Sequence, residues 1–261
     1  MGRDARPERS DPSPGRAPGF LPRRVREQWT SLADPGGEPA LVADPPDTVA
    51  RWLDRVAPAG ASRGAFLRMH GEIRLGRWRP FRADQVIGPD GFIWAARAGR
   101  GPMTVSGHDR YVGGSGGMDW RLLGLVPVMR QSGDDVTRSA AGRFAAELLV
   151  LTPANARTGV VHWAEPSPGR ALATVTVGGS EHRVTLRFDD GARLLDLSLP
   201  RWGDPDGEGF REEVFGVAFD GERRFGDVVL PSSFTAGWWP GTERGAGGEF
   251  FRCHLDDVVP A

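Results

Sequence analysis

The sequence predicts an α+β protein, predominantly antiparallel: a strongly curved sheet of about ten strands forms an incomplete barrel, and an amphipathic helix covers it. Three observations carry this. First, from residue 64 onward apolar residues recur with period 2, as where Leu67, Met69, Ile73 and Leu75 alternate with Arg68, His70, Glu72 and Arg74. Second, short connections rich in Gly and Asp join such segments into hairpins. Third, the segment DVTRSAAGRFAAELLVLTP breaks the pattern and places Ala141, Phe144, Ala145, Leu148 and Leu151 on one helical face. A lone amphipathic helix among antiparallel strands must bury that face, and the inside of a curled sheet provides the surface. A two-sheet sandwich would not need it.

The elements follow in order. Residues 1–20 mix Pro, Gly, Arg, Asp and Ser without periodicity and read as a disordered tail; residues 21–261 read as a single α+β domain. Its opening, residues 21–57, is helical. Pro22 suits the first turn of a short helix carrying Val25, Trp29 and Leu32. Asp47 reads as the N-cap of a second helix with Val49, Trp52, Leu53 and Val56 at helical spacing, stopped by Pro58 and Gly60. The sheet occupies residues 64–257, with the helix at 137–151 ended by Thr152-Pro153. Its strands are FLRMHGEIRL, GFIWAAR and GPMTVSGHDRYV before the helix, and ALATVTV, EHRVTLRF and ARLLDLSL after it. VFGVAFDGERRFGDVVL reads as a hairpin turning at Asp220-Gly221, and SSFTAGWW and GEFFRCHL close the set. Trp78 and Trp94 both fall on the apolar side of period-2 segments and are expected in one core.

Composition excludes several classes. With 26% charged and 39% hydrophobic residues and a net charge of −1, the chain is neither a typical disordered polymer nor a dedicated nucleic-acid binder, which needs surplus cations to displace counterions. The 37 Gly and 22 Pro show no collagen period. Cys253 stands alone, so an internal disulfide is impossible. The N-terminal stretch MGRDARPERSDPSPGRAPG lacks the apolar core of a signal peptide, and no apolar run is long enough for a transmembrane segment. A cytoplasmic location is the expectation. All 33 basic residues are arginine, which suggests a bacterial genome rich in G and C.

The strings HGEIRLGRWRPF, GPDGFIWAAR, GHDRYVGGSGGM, WRLLGLVPV and RSAAGRFAAELLVLTP, in this order, resemble an uncharacterised bacterial family of unknown function, from about Val49 to the C-terminus. Trp78, Pro80 and Phe81, then Gly91, Phe92 and Trp94, then Asp109, Tyr111 and Met118 carry the resemblance. The family has no agreed activity. The order of elements is also similar to the periplasmic lipoprotein-carrier fold, in which an incomplete barrel holds an acyl chain under helical lids, although no string here matches the carriers' own motifs and fold alone does not confer function.

Few residues carry recognisable chemistry. His70 and Glu72 share a strand face, but Arg68 and Arg74 share it too, as on a solvated surface. His108, His162, His182 and His254 are scattered, and no CxxC or HExxH occurs, so no metal site or other cofactor is implied. GGSGG at 113–117 lacks the lysine and the following helix of a phosphate loop and reads as a flexible turn or lid hinge, with MDWRLLGLVPVM as an apolar flap. No G-x-S-x-G elbow surrounds Ser115, and Cys253 sits among Phe250, Phe251 and Leu255 as an inert thiol. Asp109, by contrast, falls into the apolar alternation of Met103, Val105 and Tyr111, where a carboxylate must be paired, protonated or functional. Glu147 borders the apolar face of the helix, one turn from Arg143. The two carboxylates either converge with Tyr111 on one pocket, or Glu147 pairs with Arg143 and Asp109 with an arginine of the sheet.

Three functions compete. The first is non-catalytic binding of an apolar or amphipathic, lipid-like small molecule between the sheet and the helix, with Trp94, Asp109, Tyr111, Phe144, Glu147 and Leu148 at the ligand and residues 113–129 as its roof. The second is an enzyme using Asp109 and Glu147 as a buried acid/base pair on an apolar substrate. The third is a structural or interaction module with a filled core. The lack of any nucleophile or metal motif weighs toward the binder. A cavity, or its absence, separates the first two from the third.

Overall fold

The computed structural model describes residues 15–33 and 45–261. Its sheet begins and ends at one seam: β1 (Ala65–Leu75) lies antiparallel to β13 (Glu249–Pro260), with Phe66 opposite Val259 and Ile73 opposite Phe251. Two meanders run outward from this seam. One is β2 (Arg77–Gly88), β3 (Gly91–Ala98), β4 (Val105–Val112), β5 (Ser115–Leu122) and β6 (Val126–Ser132). The other is β12 (Val228–Trp238), β11 (Arg211–Phe225), β10 (Leu194–Gly203), β9 (Ser180–Phe188), β8 (Arg170–Val177) and β7 (Val161–Ser167). Among the described residues, thirteen strands form one antiparallel sheet whose edges, β6 and β7, do not pair with each other.

Helix α3 (Asp134–Leu151) touches β4, β5 and β6 of one wing and β8, β9 and β10 of the other. Strands so far apart in the sheet can meet one helix only if the sheet curls around it. That curl is the physical origin of the incomplete barrel, and it agrees with the predicted class. A second helix, α2 (Asp47–Val56), closes one end with Val49, Trp52, Leu53 and Val56 buried, and Trp52 packs against Phe188 at 5.5 Å. Asp47 is the first residue inside this helix rather than its cap: the N-cap is Pro46, and no side-chain capping bond forms. Helix α1 (Arg23–Leu32) lies on the outer face, where Val25, Trp29 and Leu32 join Leu21, Val86, Ile93 and Ala95 in a separate apolar cluster.

The strand count exceeds the expected ten for two reasons. Four strands lack a clean alternation: β2 ends in a run buried on both faces, β5 opens on glycines, β6 is exposed throughout, and β7 is mostly exposed. Conversely, the turn expected at Asp220-Gly221 lies inside the continuous β11, whose register against β12 passes through unshifted: Asp220 opposes Ser233 and Glu222 opposes Pro231, and Gly221 takes φ 64°. The true turn lies at Gly226, φ 55°. Of the expected tail, residues 1–14 lie outside the described residues. Residues 15–20 pack: the Trp29 indole donates to the Gly15 carbonyl at 3.1 Å, and Phe20 lies under the Arg97 guanidinium.

Trp94 is 2% exposed and joins the main core, as expected. Trp78 does not. It sits near the outer end of β2, half-buried, with the Arg252 guanidinium 4.3 Å above its ring. The β1–β2 hairpin runs past the core there, so alternation persists with nothing to bury against.

Candidate functional site

Helix α3 is buried on two sides, and they differ in chemistry. One side carries Ala141, Phe144, Ala145 and Leu148; Phe144 stacks between Phe92 at 6.2 Å and Tyr111 at 5.6 Å. This side is solidly packed. The other carries Ser139, Arg143, Ala146, Glu147 and Val150, a stripe at helical spacing, and it faces a cavity of about 480 Å³ between α3 and the concave face of the sheet. Strand residues of both wings complete the walls, among them Met69, Trp94 and Met118 from one and Leu197, Phe215 and Trp238 from the other. The volume lies in the range of small-molecule sites, and the mix of aromatic and aliphatic walls with a few polar groups is typical of them.

The polar groups form one ordered chain. The Arg143 Nε donates to Glu147 Oε1 at 2.6 Å, and its Nη1 donates to Asp109 Oδ2 at 3.2 Å. The Trp120 indole donates to Asp109 Oδ1 at 2.8 Å, and Gln85 Nε2 donates to Glu147 Oε2 at 2.8 Å. The Arg143 guanidinium also lies over the Phe92 ring at 4.6 Å and the Trp94 ring at 5.4 Å. Side-chain exposures of 21% for Arg143, 16% for Asp109 and 20% for Glu147 arise where they line the cavity. Burial pushes the Asp109 carboxyl above the usual carboxylate range against the pull of Arg143 and the Trp120 indole. For Arg143, burial disfavours the charge, but Glu147 and Asp109 together hold the guanidinium above its ordinary value.

A second arginine faces the same cavity. Period 2 along β10 turns Leu197, Leu199 and then Arg201 inward. Arg201 makes two long contacts, Nε to the Ser139 carbonyl at 3.3 Å and Nη2 to Ser139 Oγ at 3.5 Å, and lies over the rings of Phe215 at 4.8 Å and Trp238 at 5.5 Å. Burial, reinforced by the like charge of Arg143, lowers it to about 10.

The structure therefore brings together three of the six residues expected at a ligand. Trp94, Asp109 and Glu147 line the cavity; Tyr111, Phe144 and Leu148 fill the packed side of α3 instead. The most apolar helical face found partners in Phe92 and Tyr111, which left the mixed face to the open space. Arg143 bridges both carboxylates, so Asp109 pairs with an arginine of the helix and not of the sheet. Arg201, Gln85 and Phe215 escaped the sequence reading. Arg201 gave the same signal as Asp109, a charge in an apolar alternation.

The segment expected as a lid is built differently. Gly113 and Gly114 form the β4–β5 turn at φ 58° and 73°, and the rest is the β5–β6 hairpin. Gly116 admits α3: a Cβ there would lie 2.6 Å from the Thr137 Cα, and its N–H donates to Thr137 Oγ1 at 3.0 Å. Met118 and Met129 of this hairpin wall the cavity, while Leu123, Leu125, Val126 and Val128 are exposed. Elsewhere, His70 pairs with Asp256 at 2.7 Å on an exposed face, and Cys253 is buried, its thiol pushed up by that burial. A larger groove of about 1110 Å³ runs along β1 and β2 beside residues 15–20, and Arg68, Arg82 and Arg97 are among the residues that line it. Among the described residues no cluster of His, Cys, Asp and Glu could hold a metal ion, and no helix is long and apolar enough to cross a membrane.

Residues 37–248 match a family of unknown function, DUF6544. The chain belongs to that family. The family strings quoted above supply Trp94, Asp109 and Met118 to the cavity. No curated protein matches the chain. Among the solved structures similar to it are two of distant sequence. One is the LolA superfamily protein NE2245 from Nitrosomonas europaea, 9% identical, spanning 84% of this chain and 94% of that one at a TM-score of 0.44. The other is a DUF1329 family protein from Desulfovibrio piger ATCC 29098, 12% identical, spanning 82% and 90% at a TM-score of 0.46.

Proposed function

We propose that this protein binds an apolar or amphipathic small molecule, lipid-like in shape, in the cavity between α3 and the concave face of the sheet. The cavity itself supports this most strongly: about 480 Å³ of open interior, walled by Met69, Trp94, Phe215, Phe234, Trp238 and Phe251, where a structural module would have a filled core. Binding without catalysis fits the polar groups better than acid/base chemistry does. Each oxygen of Asp109 and of Glu147 already accepts a hydrogen bond from Arg143, Trp120 or Gln85, so neither carboxylate is poised toward the cavity as a free base.

The test is titration with a hydrophobic fluorophore on wild type and on Ala146→Trp. Ala146 lies on the cavity side of α3, and an indole there occupies the open space. Binding should weaken by tenfold or more in a variant whose circular dichroism matches wild type. Unchanged binding in that folded variant would place the site elsewhere.

A further inference from the structure

We infer that Arg201 is the receptor for a carboxylate on the ligand, so that the molecule held in the cavity is a long-chain monocarboxylic acid rather than a neutral lipid. This rests on the proposed use of the cavity and adds the chemical class of its occupant.

The two arginines that line the cavity differ in their partners. Arg143 is saturated, with carboxylates on its Nε and Nη1. Arg201 has no carboxylate within ion-pair distance among the described residues. A guanidinium has five N–H donors in a rigid planar fork. Here only the Nε and one Nη2 hydrogen are directed at Ser139, at distances of 3.3 and 3.5 Å, and Nη1 has no protein partner among the described residues. The remaining donors lie on the edge of the fork away from Ser139. The nearby acids are otherwise engaged: Asp109 and Glu147 serve Arg143, and Asp204, at the rim of the cavity, accepts from the Gly209 backbone N–H at 3.0 Å.

A cation turned inward without a counter-ion is costly unless an anion binds it. Period 2 would have served an apolar residue at this position of β10 equally well. The surroundings also select the anion. Phe215 and Trp238 lie against the guanidinium, which favours a flat partner approaching in its plane, and a carboxylate matches the fork in a bidentate manner. Beyond the guanidinium the walls are apolar, through Val217, Phe219, Phe234 and Phe251, where a hydrocarbon chain would lie.

The experiment uses the full chain and three ligands with the same twelve-carbon tail: dodecanoate, 1-dodecanol and dodecyl phosphate, each competing with a bound hydrophobic fluorophore. Wild type should bind dodecanoate at least about tenfold more tightly than dodecanol, the range of one charge-assisted pair. In Arg201→Met the acid's advantage should vanish. In Arg201→Lys, which keeps the charge without the fork, it should be partly retained. Folding is checked by circular dichroism, and Arg201→Lys keeps the comparison informative if Arg201→Met does not fold. Equal binding of acid and alcohol by wild type, or an acid preference that survives in Arg201→Met, would overturn the inference while leaving the cavity reading intact. Tighter binding of dodecyl phosphate, lost in Arg201→Met, would overturn the carboxylate assignment alone. Binding of none of the three would overturn the cavity reading and this inference together.

Discussion

Replacing Arg143 with Met should destabilise the protein by about 3 kcal/mol, the lower end of the 3–5 kcal/mol for removing one partner of a buried ion pair. The magnitude follows from the geometry. Arg143 is the cation for two carboxylates, Asp109 at 3.2 Å and Glu147 at 2.6 Å, and after its loss each retains a single N–H donor, from Trp120 or Gln85. Access to the cavity, at exposures of 16% and 20%, holds the loss to the lower end. For a chain of this size that corresponds to a fall in Tm of roughly 6–12 °C. The assay is urea unfolding followed by tryptophan fluorescence, with the triple variant Arg143→Met, Asp109→Asn, Glu147→Gln alongside. Removing all three charges should recover at least half of the loss, because the damage lies in the stranded anions. The pH dependence has a definite sign. Burial already raises Asp109, and loss of Arg143 raises it further, so the folded variant binds that proton more tightly than the unfolded chain, which releases it at about 3.9. Stability contributed by that proton is complete at acid pH and is lost as pH rises through the folded value. A single variant within about 1 kcal/mol of wild type at neutral pH, or a triple variant no better than the single, would show that Arg143 does not hold these two carboxylates in place.

Two further outcomes follow from burial. Trp94→Ala should cost about 3–5 kcal/mol, since the ring packs edge-on against Phe81 and Phe251 within 6 Å and its Nε1 donates to the Met69 sulfur at 3.4 Å, whereas Trp78→Ala should cost about 1 kcal/mol or less; equal changes in urea midpoint would contradict this. His108 is 5% exposed and its pKa is lowered to about 4, chiefly by burial, so it stays neutral in the fold while the unfolded chain takes up a proton. Stability should therefore fall by up to about 3 kcal/mol as pH drops from about 6.5 to about 4. His108→Leu should flatten that window, and an unaltered pH profile in the variant would show that other groups set it.

The class of the fold was legible because period 2 and period 3.6 separate cleanly in β1, β9 and α3. What escaped had weak local signals. β2 is buried on both faces at its end and so loses its alternation, and β6 at the sheet's edge has no buried face to mark it. Trp78 alternates correctly but lies where the hairpin outruns the core. At the site, Asp109 and Glu147 announced themselves as charges out of place, and the structure joins them through Arg143. Tyr111, Phe144 and Leu148 misled for one reason: hydrophobicity identifies what is buried but not which buried surface faces an open space. That distinction depends on how the two wings of the sheet close on α3, a long-range property that no local pattern encodes. Arg201 was a charge out of place in the same way as Asp109, but only the curl sets its wing, with Phe215, opposite the first.

The most direct measurement is photocrosslinking with a dodecanoate bearing a diazirine at the end of its chain, followed by peptide mapping. Occupancy of the cavity predicts labels on wall residues from both wings, such as Met69 or Phe251 and Val217 or Phe234, suppressed by excess dodecanoate and by Ala146→Trp. Labels confined to the exposed β5–β6 turn at Leu123 and Leu125, unaffected by Ala146→Trp, would contradict it.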